Sequence, residues 1–373
     1  MTDSARRIVG LVRKEAVQIL RDPSSILIAF VLPVVLLLLF GYGVSLDAKR
    51  VPVALAVEAP SPETASFVAA LGGSTYFAPF AVGDRRAAEA LITDGRVDGI
   101  VVLRADFARR LLSPRGAPIQ VIVNGSDANS ARILSGYLEG AWQAWLGQYA
   151  ADRGQHIAPP VAVEQRVWFN PELRSRNYLV PGLVAIIMTL IGTLLTAMVV
   201  AREWERGTME AMIVTPVRIG EILLGKLIPY FTLGMGGMAL ATAMAVFLFG
   251  VPLRGSLIVL VGVSALFMLA ALGLGLAIST VARTQFVAGQ VALIVAFLPA
   301  FLLSGFIFDI GSMPRMVRGL THLIPARWFV SALQTLFLAG DIPGVVLADA
   351  LALALMAAVL LGVTLRRTRK SLE

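Results

Sequence analysis

Asn177–Ala201, NYLVPGLVAIIMTLIGTLLTAMVVA, runs for 25 residues without a charge, and Arg202-Glu203-Trp204-Glu205-Arg206-Gly207-Thr208-Met209-Glu210 follows at once with five charges in nine residues. A bilayer core about 30 Å thick is crossed by about 20 residues of helix. The first stretch therefore reads as a membrane span and the second as a polar element just outside it. Thr189–Val200 is rich in Thr and small residues, the composition that lets helices approach closely in lipid.

Five further apolar runs lie to either side. Pro23–Leu46 is densest over Ile26–Phe40; Leu227–Leu253, Gly255–Ala282 and Thr284–Phe308 are uncharged, and Ile342–Leu365 carries one acid, Asp349. Of 373 residues, 57% are hydrophobic and 15% charged, with mean hydropathy +0.79; a soluble domain carries about 25% charged residues. The expected fold is an α-helical polytopic membrane protein with six transmembrane helices over 23–46, 177–201, 227–253, 255–282, 284–308 and 342–365. A polar α/β domain is inserted at 47–176. Gly234, Gly236, Gly237, Gly273 and Gly275 suit close packing between spans. The chain has no Cys, which excludes disulfides and Cys-ligated zinc. Two His, His156 and His322, are too few for a multi-His metal centre. Pro23–Leu46 is not read as a cleaved signal peptide: its apolar core is too long, no A-x-A site follows, and a polar-rich segment precedes it.

Lys and Arg near span ends set orientation. With the N-terminus inside, cytoplasmic segments hold 14 such residues and the opposite segments 8. Residues 1–22 and 366–373 are thus expected in the cytoplasm and 47–176 outside, which in a bacterium is the periplasm. Residues 47–177 carry 14 basic and 13 acidic side chains, as a water-exposed domain should, while the rest carries 18 against 11. Much of the net +8 lies in the two tails. It orients the protein and meets anionic lipid, so nucleic acid is not an expected partner.

In residues 4–22, Ile8, Leu11, Val12, Ala16, Ile19 and Leu20 recur at helical spacing, with Arg6, Arg7, Arg13 and Lys14 on the remaining face. This suits an amphipathic helix in the headgroup region; a plain extension of the first span is the other reading, against which Asp22-Pro23 marks a break. In the insert, strands are expected at Val51–Val57, Tyr76–Val82, Val97–Leu103, Ile119–Val123 and Val161–Phe169. Helices are expected from Ser61 to Leu71, Asp84 to Ile92, Asp106 to Leu112 and Asn129 to Asp152. Alternating elements indicate a sheet flanked by helices. Tyr137, Trp142, Trp145 and Tyr149 on the long helix either pack on the sheet or meet a ligand or adaptor. No nucleophile–base or metal set appears, so the chain does not read as an enzyme.

The 202–226 loop is short, charged and set between two spans. Gly207-Thr208 divides it, with Thr208 as cap of a new helix, and Ala211-Met212-Ile213-Val214 is closed by Thr215-Pro216. Such an element either meets a soluble partner or is a solvated connector. Gly220 to Lys226 matches G-x-x-x-x-G-K, yet Leu227 stands where Ser or Thr should hold Mg²⁺ and no strand precedes it; nucleotide binding here is rejected. Arg327 and Asp349 are charges at membrane depth, where charge is costly and often functional. They read either as an ion pair or as a gate or passage element.

The span order, the large insert and Glu203-Trp204-Glu205-Arg206-Gly207-Thr208-Met209-Glu210 resemble the permease subunits of ABC type-2 exporters. Arg21-Asp22-Pro23-Ser24-Ser25, Phe40-Gly41-Tyr42-Gly43, Leu303-Ser304-Gly305-Phe306-Ile307-Phe308, Ser312-Met313-Pro314 and Ile324-Pro325-Ala326-Arg327 are similar to the bacterial inner-membrane branch linked to multidrug export. The resemblance implies a permease dimer, with a second copy or a paralogue, and two ABC ATPase subunits. ATP and Mg would sit on those subunits and no cofactor on this chain. It also implies that 202–210 and the residues to 215 form an ATPase-coupling helix, that 1–22 is a connecting helix, and that 309–341 forms re-entrant helices. A periplasmic membrane-fusion adaptor is a further implied partner. Export of a lipid or glycan, or a membrane sensor with an external ligand-binding domain, are the alternatives.

Overall fold

A computed structural model describes residues 3–43, 50–111, 119–125, 128–154, 169–170, 174–208, 217–282 and 284–367. The chain forms two compact units, Met1–Ser45 with Val167–Glu373, and Leu46–Arg166.

The first unit begins with α1 (Asp3–Leu20) and α2 (Pro23–Gly43). Asp22 separates them. Its carboxylate accepts the Ser24 N–H at 3.2 Å, and Pro23 suits the first helical position because no N–H is needed there. α2 carries a π-turn at Leu27–Val31. Residues 44–46 of the expected first span lie outside the described residues.

The second unit is built on a four-stranded sheet. Its elements are β1 (Val51–Val57), α3 (Pro62–Gly72), β2 (Phe77–Val82), α4 (Arg85–Thr93), β3 (Gly99–Leu103), α5 (Phe107–Arg110), β4 (Ile119–Val123) and α6 (Ala128–Ala151). The order is β2-β1-β3-β4, with β1 parallel to β2 and β3, and β4 antiparallel to β3. The central strands VPVALAV and GIVVL are apolar on both faces because helices cover both. Val53, Leu55, Val101 and Leu103 face Phe67, Phe107 and Trp145, while Ala54, Ala56, Ile100 and Val102 face Ala88. The α6 aromatics pack inward: Trp145 stands 5.2 Å from Phe67 between ring centres and donates to Ser66 Oγ at 3.1 Å. Of the strand expected at Val161–Phe169, residues 161–168 lie outside the described residues, as does Leu112.

The first unit continues with α7 (Ser175–Glu205), α8 (Ile219–Leu248), α9 (Leu257–Ser279), α10 (Gln285–Leu303), α11 (Arg315–Thr321), α12 (Pro325–Leu338) and α13 (Pro343–Arg367). α2, α7, α8, α9, α10 and α13 are each long and apolar enough to cross a membrane. α7 is the hub, buried almost continuously from Val180 to Ala201 and packed on α2, α8, α9, α10 and α12. Gly275 on α9 makes the closest approach possible, since a Cβ there would strike Thr196 Oγ1 and the Thr193 carbonyl of α7; Thr196 donates to the Leu272 carbonyl at 3.0 Å. α12 has 14 residues, about 21 Å of helix, too short for a full crossing. It is nevertheless buried at Phe329, Leu333, Leu336 and Phe337, and Phe329 stacks on Phe267 at 4.0 Å. Leu347, Leu351, Leu355 and Val359 of α13 are exposed on one face, as side chains facing lipid are.

Candidate functional site

Both helices that border the 202–226 loop extend beyond their apolar runs. α7 continues through Arg202, Glu203, Trp204 and Glu205, and α8 starts at Ile219, so Glu221 and Lys226 are helical. α1 lies against α8 where Gly225 leaves room: Leu11 Cβ stands 2.6 Å from the place a Cβ on Gly225 would take. The P-loop look-alike is thus a helix segment whose glycine admits α1.

That packing brings four charges together from three helices. Lys226 Nζ lies 3.0 Å from Glu15 Oε1 and 2.5 Å from Glu203 Oε2. Lys14 Nζ lies 3.0 Å from Glu203 Oε1 and 3.1 Å from Glu15 Oε1. Glu15, Glu203 and Lys226 are 1, 3 and 2% exposed, while Lys14 is exposed. Two carboxylates and two ammoniums make a neutral group, the condition on which charges tolerate burial. Burial alone would lower the Lys14 pKa, but its pairing with Glu203, then Glu15, outweighs this and holds it above the ordinary value.

A second set of polar contacts flanks the first. Arg7 donates to Glu221 at 3.0 and 3.1 Å, Ser4 donates to the same carboxylate at 2.5 Å, and the Arg218 N–H does so at 2.9 Å. Arg202 reaches Asp22 at 2.6 Å and donates to Gln285 Oε1 at 3.0 Å. Gln285, at the start of α10, donates from Nε2 to Glu205 Oε2 at 2.9 Å. Burial would raise the Asp22 pKa; the Arg202 guanidinium, the Ser25 hydroxyl and the Ser24 N–H together hold it below the usual carboxylate value. Gly207, at φ +68°, follows the last turn of α7 in the left-handed region that glycine adopts without strain. Thr208 Oγ1 donates back to the Glu203 carbonyl at 3.2 Å. Arg206 is exposed. Met209 and Glu210 lie outside the described residues, as do Ala211 to Pro216.

α1 covers Glu203, and two lysines of its own chain neutralise it. Glu205 is exposed and held by Gln285. The partnerships of Glu15, Lys14, Lys226, Asp22 and Gln285 are not legible in the sequence. Glu15 was detectable, since it falls on the apolar stripe Ile8, Leu11, Val12, Ile19, where a charge demands a partner.

At the other end of α7, Arg327 and Asp349 are brought near one another but not into contact. Among the described residues no ion pair of 4 Å or less includes Asp349, so of the two readings of Arg327 and Asp349 the ion pair is not seen. Arg327 is engaged elsewhere: it bonds Thr321 Oγ1, donates to the Arg318 carbonyl at 3.4 Å and sits 5.1 Å over the Trp328 ring. The last carbonyls of α11 lack helical partners, and Arg327 in the first turn of α12 supplies one. Asp349 is 4% exposed and borders the same cavity as Ser331.

Comparison with known proteins supplies the family. A model of the ABC-2 family transporter proteins matches residues 23–366. The chain is 48% identical over 99% of its length, and 98% of the relative's, to the probable multidrug ABC transporter permease YbhS of Escherichia coli K12. It is 27% identical over 89% of its length, and 90% of the relative's, to the probable multidrug ABC transporter permease YbhR of the same organism. It is 21% identical over 90% of its length, and 92% of the relative's, to the linearmycin resistance permease protein LnrN of Bacillus subtilis.

Proposed function

The chain belongs to the ABC-2 transporter family, and from that premise we propose that it is the membrane-spanning permease subunit of an ATP-driven exporter of drugs or other amphiphilic small molecules. It works in the bacterial inner membrane beside a second copy or a paralogue, with ATP and Mg on separate ATPase subunits. Both termini are cytoplasmic, residues 47–176 form a periplasmic domain that meets an adaptor, and 309–341 re-enters the membrane. The translocation path lies at the permease dimer interface.

The observation that carries this reading is the charge group Glu15–Lys226–Glu203–Lys14. It joins the amphipathic helix, the end of the second span and the start of the third directly beside the 202–215 segment. That segment is the coupling element on which an ATPase pushes. The stroke then enters the spans through one rigid body instead of a flexible loop. Because Glu203 is internally neutralised, contact with the ATPase falls to the exposed Glu205 and Arg206 and to Met209 and Glu210 beyond them; Arg202 and Trp204 brace the element, and Gly207 and Thr208 set its bend. In Glu205→Ala, membrane insertion stays intact while export and stimulation of the partner ATPase are lost. Export at the wild-type rate from that variant, measured in inverted vesicles containing the ATPase, would contradict the assignment.

A further inference from the structure

Asp349 lies about 9 Å along α13 from its first residue, and it lines a cavity of about 620 Å³ bordered by the start of α7, the Ser304–Ile310 stretch and α12. Sites of this size hold drug-sized molecules. Two buried polar atoms in its wall have no hydrogen-bond partner among the described residues, Oδ2 of Asp349 and Nε2 of Gln334. The other charges on the wall are engaged: Asp309 accepts the Ser312 N–H at 3.1 Å, and Arg327 is held by Thr321 and the Arg318 carbonyl. What remains free is one carboxylate oxygen and one amide donor, beside the Trp328 and Tyr178 rings. Arg327 lines the same cavity but does not touch Asp349, and a carboxylate buried at membrane depth with no cation in contact carries a desolvation cost, which a cationic ligand reduces.

Resting on the exporter reading above, we propose that this cavity binds an organic cation with an aromatic or apolar body, its positive charge set against the Asp349 carboxylate. Aromatic walls suit such a cation doubly, by apolar contact and by the negative potential of the ring faces.

The test uses the full chain in lipid nanodiscs. Binding of tetraphenylphosphonium is compared with that of tetraphenylborate, an anion of the same shape, after subtraction of empty discs. Wild type is expected to show saturable binding of the cation and none of the anion. Asp349→Asn, a neutral isostere, is expected to lose about tenfold or more in cation affinity. Leu338→Trp, which fills the cavity and leaves the carboxylate in place, is expected to lose binding as well. Equal cation affinity in wild type and in an Asp349→Asn protein of unchanged melting temperature overturns the proposal. So does an absence of cation binding above empty discs, which would mean a water-filled cavity. If Asp349→Asn fails to fold, the cation–anion comparison on wild type and the Leu338→Trp result decide. No ATPase takes part, so failed binding leaves the exporter reading standing, and failed export leaves a positive binding result standing.

Discussion

The two ends of α7 treat buried charge in opposite ways. Near Glu203, two acids and two lysines neutralise one another, although Glu15 Oε2 accepts no hydrogen bond among the described residues. About 38 Å along the same helix, past Tyr178, Asp349 faces a cavity with one oxygen unpartnered. A neutralised group fixes positions, because every member has its counter-ion and moving one strands the rest. A carboxylate with no cation in contact keeps its capacity to bind one. The contrast separates a region built to transmit force from a region built to receive a ligand, although both look alike in the sequence as charges beside apolar runs.

Substitutions break this comparison in sign as well as size. Lys226→Met strands Glu15 and Glu203 in a dry site and is expected to cost about 3–5 kcal/mol, read as a large fall in melting temperature of the purified protein. Adding Glu203→Gln, which leaves Glu15 to Lys14, should recover part of that loss; simple additivity of the two costs would show that the four charges do not act as a unit. Asp349→Asn is expected to leave the melting temperature unchanged or raise it, since it removes a charge whose burial is only partly compensated. A fall like that of Lys226→Met would erase the distinction. The smallest effect concerns Asp22. Its pKa is lowered in the folded protein, so its contribution to stability is present above the unfolded value of about 3.9 and is lost as pH falls through the lower folded value. Unfolding followed from pH 6 to pH 3 should show a steeper acid loss in wild type than in Asp22→Asn. Parallel curves would mean that the Asp22–Arg202 contact adds nothing.

How much of this was legible in the sequence depends on the range of the interaction. The apolar runs are local signals, and six helices long enough to cross a membrane stand where they occur. Capping is local too: Asp22-Pro23, Ser61-Pro62 and Asp84 sit at helix starts in the sequence and accept the capping N–H groups in the structure. Helix ends were less visible. Charge suggested that the second span stops at Ala201 and the third starts at Leu227, yet α7 runs to Glu205 and α8 starts at Ile219. Their charges are neutralised by a helix more than 180 residues away in the chain, and no window of sequence contains that fact. For Arg327 and Asp349, opposite signs at similar depth left an ion pair and a passage element both open; the guanidinium turns to Thr321 and the Arg318 carbonyl instead of to Asp349. In the insert, periodicity could not choose between packing and display for the α6 aromatics; the sheet face under Phe67 and Phe107 decided for packing.

The central claim is that α1, the end of α7 and the start of α8 move as one body when the ATPase acts. The chain has no cysteine, so a disulfide between Leu11→Cys and Gly225→Cys can be made without side reactions. Their Cβ positions are close enough to bridge after a small adjustment. ATP-driven export by the oxidised double variant should match that of its reduced form. If oxidation stops export and reduction restores it, α1 must separate from α8 during the cycle, and the single-body account is wrong.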